Sequence, residues 1–75
     1  MKRMERFKMM FFVETEYGSS WKSIRNIQEY LHEMCSHITQ YEANEVTCWA
    51  RNAKRNDIYE NKALKIKVKA GIKRL

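Results

Sequence analysis

Two sets of side chains in this sequence have types and spacings that can do chemistry. The first is aromatic and cationic: Phe12 and Trp49, with Arg51, Lys54, Arg55, Lys65, Lys67 and Lys69. Rings stack on bases and cations meet phosphates, so this mixture suits a nucleic-acid surface. The second set is His32, Cys35, His37 and Cys48. His32 and Cys35, three apart on a helix, could share a metal. Cys35, however, continues an apolar stripe, His37 lies on another face, and no Cys-x-x-Cys pair occurs. The expectation is therefore exposed histidines, two core thiols and no metal or other cofactor. A Cys35–Cys48 bridge is geometrically open, but reduced thiols are expected in a cytoplasmic setting.

Catalytic patterns are missing. His32 and His37 are five positions apart and point in different directions on a helix. There is no nucleophile motif, P-loop or glycine-rich phosphate loop. A chain of 75 residues leaves little room for a water-excluding pocket. Neither an enzyme nor a small-molecule substrate is expected. Gly18, Ser19 and Ser20 could present backbone N–H groups to an anion at a helix start, but ordinary capping accounts for them.

The charge is unevenly laid out. The net charge is +6, with +3 over residues 1–10, −4 over residues 11–50 and +7 over residues 51–75. An acidic middle and a strongly basic last third point to a polyanionic partner or an acidic protein surface. The competing reading is a lysine-rich strand edge that resists aggregation. The apolar run Met9–Val13 is too short for a signal sequence, which needs about 7–15 residues, and no stretch approaches the roughly 20 of a membrane span. A cytoplasmic location away from membranes is expected.

Four elements must position these side chains. Residues 6–16 alternate as a strand, with Phe7, Met9, Phe11, Val13 and Thr15 on one face and Lys8, Met10, Phe12 and Glu14 on the other. Residues 20–39 carry Trp21, Ile24, Ile27, Leu31, Met34, Cys35 and Ile38 at helical spacing, capped by Ser19 or Ser20. Residues 45–52 alternate as a second strand, with Trp49 and Arg51 on the face opposite Val46, Cys48 and Ala50. Residues 62–70 form a third, with Leu64, Ile66, Val68 and Ala70 inward and Lys65, Lys67 and Lys69 outward, ending near Gly71. The expected fold is α+β, one β-α-β-β domain over residues 1–75, with one amphipathic helix on one face of a three-stranded, mainly antiparallel sheet. A right-handed crossover would set the first two strands parallel, an arrangement that resembles half of a ferredoxin-like fold.

One helix covers one face, which leaves Phe12, Trp49, Arg51 and the lysine row on the other. This uncovered face is the candidate functional surface. The first reading is a non-enzymatic module that engages nucleic acid, or a nucleoprotein complex, through its C-terminal hairpin. The second is a dimeric protein-binding inhibitor or adaptor, with Trp49 as its anchor. In size and style the latter resembles phage and mobile-element counter-defence proteins such as anti-CRISPRs.

Overall fold

The computed structural model describes residues 7–74, and of Arg74 only the backbone. Arg6, read above as the start of the first strand, and Leu75 lie outside the described residues. The element order is β1 (Phe7–Thr15), β2 (Gly18–Lys22), a short 3-10 turn (Ile24–Asn26), α1 (Ile27–Met34), α2 (Gln40–Asn52), β3 (Ile58–Asn61) and β4 (Ile66–Arg74). The four strands form one antiparallel sheet in the order β2-β1-β4-β3. Both helices lie on one face, so the α+β class holds while the sheet gains a strand and the helical layer a helix.

The single long helix over residues 20–39 is not formed. Its first residues pair with β1 instead, in the register Phe12↔Trp21 and Thr15↔Gly18. Thr15 closes this hairpin with its own side chain. Its Oγ1 accepts from the backbone N–H groups of Tyr17 (3.2 Å) and Gly18 (3.1 Å) and donates to the Gly18 carbonyl (2.8 Å). Ser19 and Ser20 are therefore strand residues, and the anion site imagined at a helix start there does not exist. Of the helical stripe only Ile27, Leu31 and Met34 lie in α1, the first two buried beside Tyr30 and Met34 partly buried against the core.

The second strand expected at residues 45–52 is a helix. Thr39 caps α2, accepting from the Glu42 N–H (3.1 Å) while Glu42 accepts from the Thr39 N–H (2.9 Å). This Thr-x-x-Glu box starts a helix whose Ala43, Val46, Thr47 and Ala50 recur at spacings of three and four and are buried. Gln28 of α1 donates to Thr47 Oγ1 at 2.9 Å, tying the two helices together.

The third predicted strand, 62–70, splits. Residues 62–65 are a turn, with Lys65 in the left-handed region (φ 57°), and β3 occupies Ile58–Asn61 before it. β4 then runs through Gly71 without a bulge, since Met10↔Gly71 and Met9↔Ile72 pair in register. The parallel pairing expected between residues 6–16 and 45–52, the arrangement resembling half of a ferredoxin-like fold, is also corrected, because residues 45–52 lie in α2 and every strand pair of the sheet is antiparallel. The core lies between sheet and helices. Phe11, Val13, Ile66, Val68 and Ala70 meet Ile27, Leu31, Ile38, Ala43, Val46 and Ala50 there.

Candidate nucleic-acid interface on the outer sheet face

The strand registers fix what the helix-free face presents. Four cross-strand rows follow from them. Ser19, Glu14, Lys67 and Glu60 form the first row, and Trp21, Phe12, Lys69 and Ile58 the second. Met10 and Gly71 form the third, and Lys8 and Lys73 the fourth. The face thus has two halves. In the first row Lys67 stands between two glutamates, and its charge is offset by its neighbours. The other three rows contain aliphatic and aromatic groups with Lys8, Lys69 and Lys73, and no carboxylate.

An aromatic pair lies at the centre of this second half. The Phe12 and Trp21 rings are 5.2 Å apart, tilted by 52°. Trp21 reaches across β1 to β4, where a Cβ on Gly71 would sit 3.0 Å from its Cη2 and Cζ3 atoms. Glycine at this position is what allows the indole so close to the β4 backbone. The Lys73 ammonium lies 5.3 Å from the Trp21 ring centre. Trp21 nevertheless keeps 38% of its surface exposed, and Ile58 at the end of the same row keeps 52%. Beside them runs a shallow groove of about 460 Å³ lined by Phe12, Glu14, Trp21, Arg55, Lys69 and Ile72.

Of the residues expected on this face, Phe12, Lys67 and Lys69 are there, and Arg55 flanks it. Trp49 is not. It belongs to α2 and packs inward, 6.0 Å from Phe11 and 5.7 Å from Tyr59. Arg51 also lies on α2, exposed in the helical layer. Lys54 is exposed in the connection after α2, its N–H donating to Asp57 Oδ2 at 2.8 Å. Lys65 leaves the lysine row because its turn reverses the chain, and its ammonium pairs with Glu16 at 3.1 Å. The aromatic that sequence reasoning missed is Trp21, assigned to a helix stripe. The Thr-x-x-Glu box at residues 39–42 starts a helix where a strand was expected and could have moved Trp49 off this face, while the signal for Trp21 is the two-residue turn that lets Gly18–Lys22 pair with β1.

The cysteine and histidine cluster dissolves. Both cysteines are free, Cys35 half-buried and Cys48 exposed, so Cys48 is not the core thiol it was expected to be. His32 hydrogen-bonds Gln40 at 3.2 Å. Among the described residues no three His, Cys, Asp or Glu side chains converge as metal ligands would. Cys35 borders a small hollow of about 220 Å³ with Glu16, Tyr17 and His37. Burial, and then the charge of Glu16, push its thiol above the ordinary range. At neutral pH it is held as the protonated, weakly nucleophilic form.

No helix among the described residues is long and apolar enough to cross a membrane. No family model, curated protein or solved structure matches this chain.

Proposed function

We propose that this chain is a non-enzymatic, cytoplasmic binding module that engages nucleic acid through the outer face of its sheet. The C-terminal β3–β4 hairpin supplies most of the charge. The observation that carries this reading is the carboxylate-free half of the face, where Lys8, Lys69 and Lys73 surround the Phe12–Trp21 pair, with Arg55 beside it. Same-face residues on one strand are about 6.7 Å apart, so Lys69 and Lys73 span two such steps along a backbone of phosphates. Each phosphate neutralised releases counterions, which gives affinity without sequence preference. Directly opposed lysines are unfavourable in the free protein. A phosphate between Lys8 and Lys73 would relieve that repulsion.

The test is fluorescence anisotropy with labelled single- and double-stranded DNA and RNA at low and physiological salt. Binding that persists at physiological salt with a steep slope supports the reading. Lys69→Glu and Lys73→Glu should each lower the slope of log K against log salt by about 0.7–0.9 for the phosphate contact they remove. Lys65→Glu, in the turn and paired with Glu16, should change it less. Binding lost at physiological salt, or equal in all three variants, refutes the reading. The face would then fit a protein partner, with the charges steering association.

A further inference from the structure

We propose that the nucleic acid taken by this face is single-stranded, and that Trp21 is the platform on which one unpaired base stacks. The inference rests on the nucleic-acid reading above and deepens it. Cations alone would serve a duplex, whose phosphates line its outside and whose bases stack on one another. The exposed ring is what a duplex does not use. Trp21 is held in place from two sides, by Phe12 at 5.2 Å and by its close approach to Gly71, yet over a third of it remains open. A ring fixed in this way has little conformational freedom left to lose when a base stacks on it.

The surroundings complete the site. The Lys73 ammonium lies 5.3 Å from the indole centre, so a base arriving on the ring exchanges this cation–π contact for stacking. The displaced ammonium then has the strand's own phosphate as its partner, next to Lys8 directly across the sheet. On the far side of Phe12, Lys69 lies in the same row as the ring pair, with Ile58 beyond it. In the neighbouring row Glu14 and Glu60 flank Lys67 and leave that row net negative, so a strand that drifts across the sheet meets no basic surface there and stays on the basic half. Stacking of this kind tolerates any base, because every base has a π-face.

The two tryptophans make the test direct. Trp49 is packed between Phe11 and Tyr59 on the opposite side of the sheet, so a ligand on the outer face reaches Trp21 and not Trp49. Titrating the protein at physiological salt with oligo(dT) should quench the tryptophan emission. A duplex of equal length should bind more weakly and leave the emission unchanged. Trp21→Ala should lose the quench and weaken oligo(dT) binding roughly five- to hundred-fold. Should that variant fail to fold, Trp21→Leu keeps an apolar cover over Gly71 without the flat ring, and the same losses are expected. Duplex binding as tight as oligo(dT), or Trp21→Leu binding like the wild type, overturns the stacking role but leaves the electrostatic surface standing. Binding of neither probe at physiological salt overturns both readings.

Discussion

Lys8 and Lys73 stand directly opposite each other on β1 and β4, which makes Lys8→Glu a variant with opposite effects on stability and on binding. Side chains in such a pair have Cβ atoms about 5 Å apart, and like charges there destabilise by roughly 0.2–1 kcal/mol. The substitution removes that repulsion and adds an attraction of about the same size. Both groups are exposed and screened by solvent, so about 0.5–1 kcal/mol in total is the expected gain. In a domain of this length 1 kcal/mol moves Tm by about 4–8 °C, so the variant should melt roughly 2–8 °C higher. Thermal unfolding followed by circular dichroism measures this. The gain should shrink in about 1 M salt, where the Debye length falls to about 3 Å. The same variant should bind nucleic acid more weakly and with a shallower salt slope, because a phosphate contact becomes a repulsion. A lower Tm, or a gain that salt does not reduce, would refute the register argument. A higher Tm with unchanged affinity would remove Lys8 from the binding face.

Three further outcomes follow from the packing. Thr39→Ala removes the Oγ1 that accepts from the Glu42 N–H, leaves the backbone half of the α2 capping box in place and should cost about 1 kcal/mol, while Thr39→Ser should restore most of it in the same melting assay. Leu31→Ala empties a fully buried position between the helices and the sheet. The expected loss of about 2–5 kcal/mol in denaturant unfolding is enough to leave so small a domain largely unfolded. Burial, followed by the hydrogen bond to Glu45 Oε1 (2.8 Å) and the charge of that carboxylate, raises the Tyr59 phenol above its ordinary value near 10. The folded state therefore holds this proton longer than the unfolded chain. Its contribution is complete below about pH 10 and disappears as pH climbs through the raised value. Tyr59→Phe should flatten that alkaline limb in a pH series of melting temperatures, while costing about 0.5 kcal/mol at neutral pH for the exposed hydrogen bond.

Part of this architecture is legible in the residues. The alternation of β1 is unambiguous, because Phe11 and Val13 need burial while Lys8 and Glu14 need water, and a one-residue slip would exchange them. The same logic puts Lys67 and Lys69 on one face of β4 and Ile66, Val68 and Ala70 on the other. The segment around residues 43–50 is different. Its apolar residues satisfy both a period of two, through Val46, Cys48 and Ala50, and a helical period, through Ala43, Val46, Thr47 and Ala50. Only the Thr39–Glu42 box breaks that tie, and it lies outside the segment. Trp21 is ambiguous for a related reason. It falls at helical spacing from Ile24, yet Ser19, Ser20 and Trp21 also pair across a two-residue turn with β1, and the second arrangement wins because the sheet gains an edge strand.

The sequence alone determined the α+β class, the outward face of β1 and the basic character of the C-terminal hairpin, because local alternation and charge need no distant partner to be read. Tertiary structure decided which aromatic meets the cations. Trp49 and Trp21 have the same chemistry, and what separates them is that one lies on a helix packed into the core while the other spans three strands to rest on a glycine fifty positions away along the chain. That choice rests on strand order and register, which are set by how the whole hydrophobic face is buried at once.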